Sequence, residues 1–272
     1  MVRSLWTGAT GMIAQQLNVD NISNNLANVN TTGYKAEVME FKSLLYQTIQ
    51  TRTTTANGAN KPIGAEVGLG VRNSSITSIF TDGNLLETPG EANFALNGRG
   101  FFGIRGADGN TYYTRNGNFV FAVGSEGITL ETTDGLPVLD SEGEPIVLED
   151  DDIVTSKITV GKDGTLYYPD DRNIPQSLDI TIGLWQFNNP AGLSKEGDSL
   201  YAVTDASGEE MNEAENENLT KTKLIQGYLE GSNVQIADEM VNLIVAQRAY
   251  EMNSKVITTS DEMLQQANQL KR

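Results

Sequence analysis

Apolar residues at steps of three and four dominate both ends of the chain, and short alternating runs dominate its middle. Near the start, Val2, Leu5, Ala9, Met12, Val19, Ile22, Leu26 and Val29 keep a three-four spacing broken only by Gln16, while Trp6, Ile13 and Leu17 widen the apolar face. That spacing predicts a helix from about Arg3 to Ala27. The helix should run into a turn at Asn28-Val29-Asn30-Thr31-Thr32-Gly33-Tyr34, where Gly33 can take a left-handed conformation. At the other end, Val234, Ala237, Val241, Val245, Ala249, Met252, Val256, Thr259, Met263, Ala267 and Leu270 form one stripe. A second stripe runs through Ile236, Met240, Ile244, Tyr250, Ile257 and Leu264. Together they predict one long helix from Ser232, started by a Ser232-x-x-Gln235 capping arrangement and about 57 Å long if unbroken. Its weak point is the β-branched run Val256-Ile257-Thr258-Thr259, followed by Ser260-Asp261-Glu262.

Between the ends the period changes to two. Asn93-Phe94-Ala95-Leu96, Thr111-Tyr112-Tyr113-Thr114, Phe119-Val120-Phe121-Ala122, Ile158-Thr159-Val160 and Leu178-Asp179-Ile180-Thr181-Ile182 read as strands. Turn dipeptides punctuate them: Asp82-Gly83, Asp108-Gly109, Asn116-Gly117, Glu126-Gly127, Asp134-Gly135, Glu142-Gly143 and Asp163-Gly164. Residues 36–70 fit neither pattern. Phe41, Leu44, Leu45, Tyr46 and Ile49 make a short apolar patch, and Thr51 to Asn60 is almost entirely Thr, Asn, Gly and Ala, so a mobile connector or an arm that orders on a partner is expected. The fold class is α+β: long N- and C-terminal helices pairing as a coiled-coil-like core, with a central antiparallel β-rich domain. The division is 1–35 core helix and turn, 36–70 connector, 71–231 β-rich domain and 232–272 core helix.

Charge sharpens this division. The 272 residues carry a formal charge of -17. Residues 1–60 hold four basic and three acidic groups and residues 236–272 hold four and five, so the excess lies in the middle. A body of that sign repels nucleic-acid phosphates and anionic lipid, so neither nucleic-acid binding nor membrane insertion is expected. There is no Cys and no His, which removes Ser-His and Cys-His nucleophile systems and the usual zinc ligands. The N-terminus lacks the uninterrupted apolar core of a cleaved secretory signal, since Gly8, Gly11, Gln15 and Gln16 interrupt it.

Two features imitate chemistry. Gly98-Arg99-Gly100-Phe101-Phe102-Gly103 spells a dinucleotide loop, but a strand and turn follow where that mechanism needs a helix, so the glycines read as a tight bend and no cofactor is expected. Glu142, Glu144 and the run Glu149-Asp150-Asp151-Asp152 could hold calcium or supply a carboxylate pair for glycoside hydrolysis. The ligand spacing of a calcium loop is missing, and consecutive acids are usually a solvated rim, so neither a metal site nor catalytic residues are assigned.

The ends pose a packing problem. They could form an antiparallel pair packed on the central domain, or they could be covered by copies of the same chain. Roughly twenty medium-sized apolar side chains exceed what the facing sides of two helices hide. A head-to-tail contact that does not close on itself would cover the rest and build a helical filament. The packing positions expected to carry this are Leu5, Met12, Val19, Ile22 and Leu26 in the first helix, and Val234, Val241, Ile244, Val245, Met252, Val256, Met263 and Leu264 in the second.

Asn25-Leu26-Ala27-Asn28-Val29-Asn30-Thr31-Thr32-Gly33-Tyr34-Lys35 resembles the N-terminal signature of the bacterial flagellar rod and hook protein family. Gly227-Tyr228-Leu229-Glu230-Gly231-Ser232-Asn233-Val234 and Gln247-Arg248-Ala249-Tyr250-Glu251 resemble its C-terminal motifs. Leu96-Asn97-Gly98-Arg99-Gly100-Phe101-Phe102 and Tyr113-Thr114-Arg115-Asn116-Gly117-Asn118-Phe119 resemble its β-domain motif. The likeness follows the family's order and is nearest to its distal rod branch. It singles out Asn25, Asn28, Gly33, Tyr34, Gly98, Gly100, Arg115, Gly117, Ser232, Asn233, Gln247, Arg248 and Tyr250. The resemblance implies a non-enzymatic subunit of a hollow helical shaft, with paired helices lining its core and the β domain facing outward. It also implies flagellar export without a cleaved signal, and contact with its own copies, with proximal rod and hook proteins and with surrounding basal-body rings.

Overall fold

The computed structural model describes residues 3–50, 64–124, 127–148, 154–170, 174–216 and 218–270. The chain divides into two compact units. The first comprises Met1–Ala27, Glu37–Thr77 and Gln235–Arg272, and the second Asn28–Ala36 and Ser78–Val234.

The first unit contains helix α1 (Arg3–Ala27), helix α2 (Ile236–Gln269) and strands β1 (Glu37–Ser43), β2 (Tyr46–Gln50), β3 (Ala65–Gly68) and β4 (Val71–Ser78). The helices run antiparallel. Ser260 Oγ donates to Ser4 Oγ at 3.0 Å, and Asn25 Nδ2 near the other end of α1 donates to Glu239 Oε1 at 3.2 Å. Small residues make this seam. A Cβ on Gly8 would lie 3.0 Å from the Ile257 side chain, and one on Gly11 would lie 2.8 Å from Asn253 Nδ2. Gly8, Gly11 and Ala14 on α1 and Ala246 and Ser260 on α2 are buried. Strands β1 and β4, then β2 and β3, continue as one antiparallel ribbon, bridged by Leu44 N to Gly70 O and Leu69 N to Leu45 O. Gly70 (φ +117°) abuts α1, where a Cβ would fall 2.2 Å from Thr10 Oγ1. The buried amides of Asn21 and Asn25 both donate to Glu37 O, and Glu37 N donates to Asn25 Oδ1, so neutral side chains satisfy the backbone where β1 begins.

The regular structure of the second unit is antiparallel strand, with two single-turn 3-10 helices at Thr155–Lys157 and Pro190–Gly192. Its first half holds β5 (Leu85–Glu87), β6 (Phe94–Asn97), β7 (Phe101–Arg105), β8 (Thr111–Thr114), β9 (Phe119–Val123), β10 (Ile128–Thr132), β11 (Val147–Leu148) and β12 (Thr159–Val160). Its second half holds β13 (Thr165–Pro169), β14 (Pro175–Thr181), β15 (Leu184–Gln186), β16 (Ser194–Gly197), β17 (Leu200–Ala202), β18 (Met211–Asn212), β19 (Lys223–Gln226) and β20 (Tyr228–Glu230). Six strands form the largest sheet, in the order β16-β17-β8-β7-β15-β18. Along β7 the pleat sends Phe102 and Ile104 into one apolar cluster with Phe94, Leu130 and Leu224, and Phe101 into another with Tyr113, Trp185 and Tyr201. Both faces of this strand are therefore covered. Gly103 is required because the Trp185 ring lies where its Cβ would stand, at 2.3 Å.

Several sequence expectations need correcting. Helix α2 begins at Ile236, with Gln235 extended and making no side-chain cap. The Ser232 hydroxyl instead accepts from Val234 N at 3.2 Å, and Val234 is a buried residue of the second unit rather than a helix position. The β-branched run does not interrupt α2, which continues to Gln269 with the Thr258 and Thr259 hydroxyls donating to Lys255 O at 3.0 and 2.8 Å. The described parts of the connector are paired strands, whereas residues 51–63 lie outside the described residues. Asp82-Gly83 and Asn116-Gly117 are not hairpin turns: their glycines admit close backbone passage, with added Cβ atoms 1.9 Å from Gly231 O and 1.7 Å from Phe94 O. Glu126 of Glu126-Gly127 also lies outside the described residues.

Candidate functional site

Two features of the structure bear on function, one in each unit. In the first, the seam uses small side chains and the large ones point away from it. Trp6, Ile13 and Leu17 of α1 are exposed, as are Met240, Val241, Ile244, Val245, Tyr250, Met252, Val256, Met263 and Leu264 of α2. Of the packing positions singled out in sequence, Ile22 is buried and Leu5, Met12, Val19 and Leu26 are half-buried. Gln16, Val19, Gln247, Tyr250 and Glu251 line a shallow groove along the pair. Arg248 pairs with Glu251 on the solvated side of α2 at 2.8 Å, so this motif makes a local ion pair and an open rim.

In the second unit the motifs that lie far apart in sequence meet. Past Ala27 the chain turns through Thr31 N to Asn28 O, and Gly33 (φ +70°) sends its N–H to Glu230 O at 2.8 Å. No side chain fits at Gly33, because a Cβ would lie 2.7 Å from the Arg115 carbonyl carbon. Thr32 Oγ1 donates to Asn116 Oδ1 at 2.8 Å. Lys35 then enters the interior, where its Nζ pairs with Glu230 Oε1 and donates to Thr81 O at 2.7 Å. Arg115 Nη1 reaches Glu230 Oε2 at 3.3 Å, Arg115 Nη2 donates to Gly98 O at 2.6 Å, and its guanidinium lies 5.2 Å from the Phe101 ring centroid. Gly83 N completes the set, donating to Glu230 Oε1 at 3.0 Å.

Lys35, Arg115 and Glu230 are all buried. Two cations therefore share one carboxylate out of water, and the next acid, the half-exposed Asp82, stands 3.7 Å from Arg115 Nη1. Burial pushes the Lys35 ammonium below the ordinary lysine value; Glu230 pulls it back up and Arg115 adds to the depression. Such a cluster is costly to build and more costly to leave half-built, so it fixes one arrangement of the segments that supply it. Asn233 locks the neighbouring turn: its Oδ1 accepts from Ala36 N at 2.7 Å, and its Nδ2 donates to Ile79 O at 2.8 Å and Thr81 Oγ1 at 2.9 Å. Gly100 N donates to Thr222 Oγ1 at 2.8 Å, in a separate buried network with Glu213 and Gln186.

Among the singled-out motif residues, Gly33, Gly98 and Arg115 thus converge, and Asn233 and Gly117 flank the convergence. Asn25 lies in the first unit with α1, and Tyr34 is half-buried beside Lys35 in sequence. Lys35 and Glu230 were within the motifs but not singled out, because a lone Lys and a lone Glu 195 positions apart carry no sequence sign of pairing. The carboxylates Glu142 and Glu144 are exposed on a turn, their N–H groups donating to Asp140 Oδ1. Residues 149–153 lie outside the described residues. Among the described residues no group of three or more acidic side chains is placed to hold a metal ion, and no helix is long and apolar enough to cross a membrane.

The three segments that supply this cluster are the three that match known families. Residues 5–35 match the flagella basal body rod protein family, 95–168 the flagellar hook protein FlgE/F/G D1 domain, and 225–270 the flagellar basal body rod FlgEFG protein C-terminal family. Lys35, Arg115 and Glu230 fall one in each. Over its whole length the chain is 43% identical to the flagellar basal-body rod protein FlgG of Borreliella burgdorferi, covering 100% of both. It belongs to the flagellar basal-body rod protein FlgG family. The FlgG proteins of Agrobacterium fabrum (43% identical, 96% of this chain and 97% of that one) and Bacillus subtilis (38%, 100% of both) agree with this membership. The alignments to these FlgG relatives span both helical ends of this chain and the β unit between them.

Proposed function

We propose that the chain is a structural subunit of the flagellar distal rod, adding to copies of itself through the outward faces of α1 and α2 to build a hollow helical shaft that carries torque to the hook. The observation that carries this reading is the large apolar surface of the paired helices. Ile13 is 61% exposed, Val245 63% and Met252 63%, with Trp6, Val241 and Met263 beside them in the same class. Each such side chain gains about 1.5 to 3 kcal/mol when fully buried, so this many exposed large apolar side chains on one helix pair mark a surface for a partner. The relatives' names as rod proteins support the same reading. The shaft occupies the periplasmic span of the basal body and is reached by flagellar type III export, with proximal rod and hook proteins at its ends and basal-body rings around it. Its role is mechanical and uses no catalytic residue.

The test is assembly. V241E/V245E places two charges on the exposed face of α2, so the variant is expected to keep the far-ultraviolet circular dichroism of the native monomer while failing to form fibres in the electron microscope. Chains lacking residues 1–35 and 233–272 should also stay monomeric. Native protein that remains monomeric at every concentration, or V241E/V245E that polymerises like the native chain, would sink the reading.

A further inference from the structure

One cleft in the second unit runs against the charge of its surroundings. Between Ser78 and Val234 the sequence carries nine basic and 27 acidic side chains, yet three of the nine, Lys162, Lys221 and Lys223, line a single cleft. All three are exposed, and none forms an ion pair among the described residues. The backbone explains why they gather. Thr222 is held inward, its N and Oγ1 donating to Glu213 at 2.7 and 2.6 Å. Alternation along an extended segment then turns its two neighbours, Lys221 and Lys223, toward solvent. Leu224 N donates to Lys162 O at 3.0 Å, which brings the third lysine alongside. Two acids share the lining, Asp163, exposed next to Lys162 in the chain, and Glu213, buried on the floor with its oxygens accepting from Thr222 and from Gln186 Nε2 at 2.8 Å, so the cleft keeps a formal excess of one positive charge in a strongly acidic unit.

We propose that this cleft receives carboxylates from the surface of a second copy of the chain. The proposal rests on the reading of the chain as a polymerising subunit and names a contact that reading leaves open. Subunits of charge -17 repel one another, and a polymer of them needs points where the sign is reversed. Three unpaired ammonium groups set against an acidic neighbour supply one such point and fix register. The cleft and the acidic surface it meets are different patches, so the contact is heterologous and can repeat without closing. The chemistry suits dispersed carboxylates better than one small bound anion, since lysines are mobile point charges and no arginine fork lines the cleft.

Mixed polymers of nitrogen-14 and nitrogen-15 chains, coupled with a water-soluble carbodiimide that joins amines directly to carboxylates, provide the test. Peptides linking Lys162, Lys221 or Lys223 of one label to Asp or Glu of the other are expected. K162Q/K221Q/K223Q should raise the critical concentration for assembly by roughly tenfold, while K162R/K221R/K223R assembles as the native chain does. Unchanged near-ultraviolet circular dichroism of both variants shows that charge rather than folding is responsible. Polymers with no mixed-label link at these lysines, or glutamine variants that assemble at the native concentration, overturn the cleft contact and leave the rod reading standing. Native chains that never polymerise overturn both.

Discussion

Replacing Glu230 by Gln should damage the protein more than replacing Lys35 by Met, although both remove one partner of the same buried pair. Glu230→Gln keeps the volume and one acceptor for Gly83 N, but strands two buried cations, with only half-exposed Asp82 nearby. Leaving an uncompensated buried charge costs about 3 to 5 kcal/mol. For a unit of this size each kcal/mol lowers the melting temperature by about 2 to 4 °C, so E230Q should melt roughly 6 to 20 °C below the native chain. Lys35→Met leaves Glu230 with Arg115 and Gly83 N, and Thr81 O keeps Asn233 Nδ2 at 3.4 Å. It also removes an ammonium that burial already disfavours. Its loss should therefore be smaller, about 1.5 to 3 kcal/mol for the charged hydrogen bonds given up, since Glu230 keeps Arg115 and no buried charge is left without a counter-ion. K35M/E230Q strands one cation rather than two and should recover part of the E230Q loss.

The assay is thermal melting followed by near-ultraviolet circular dichroism, which reports Trp185, Tyr113 and the surrounding aromatic cluster. Should E230Q fail to fold, urea titration of K35M and of R115M still ranks the partners. An E230Q loss no greater than that of K35M would refute the account of two cations sharing one carboxylate. The pH dependence has a defined sign as well. Because the Lys35 value is depressed below 10.5, the unfolded chain binds more protons between the folded value and 10.5, so the Lys35 contribution to stability rises with pH in that window and is flat below it.

Further outcomes follow from single contacts. Gly117→Ala forces a methyl group to 1.7 Å from Phe94 O and should cost more, by urea titration of the same signal, than Gly109→Ala, which meets nothing within 4 Å and bears only the strain of a positive φ. Gly11→Leu drives the seam apart at Asn253, and helix content by far-ultraviolet circular dichroism should fall. Burial raises Glu239 above the usual carboxylate value, with Asn25 opposing and Asp238 reinforcing the shift. The folded state therefore holds that proton more tightly, and the helix pair gains stability as pH falls through the folded value toward 4.5. Glu239→Gln should abolish that gain, read as a flatter curve of melting temperature against pH.

The helices and most strands were legible because their signals are local. The three-four spacing of Leu5 to Leu26 marks α1 from end to end, and alternation marks β6, β8 and β9. Where local and tertiary preferences compete, the sequence misleads. Ser232 and Gln235 spell a capping box, but Asn233 is pinned to Ile79 and Thr81, and the chain stays extended until Gln235. Asp82-Gly83 and Asn116-Gly117 spell hairpins, but their glycines serve close backbone approach. The ribbon was hidden because Val38, Phe41, Leu45 and Ile76 are exposed and leave no clean alternation of buried and open positions. The ion cluster was the least legible, since its members are single charged residues whose meeting is decided only by the completed fold.

The separation of Lys35 from Glu230 governs the order in which the second unit can finish folding. Closing so long a stretch is slow compared with forming hairpins, so the β strands between them have time to assemble first. Until the carboxylate of β20 arrives, the ammonium and the guanidinium have no dry position open to them. A nascent polypeptide released short of that strand keeps an incomplete interior, whatever the quality of the strands already made.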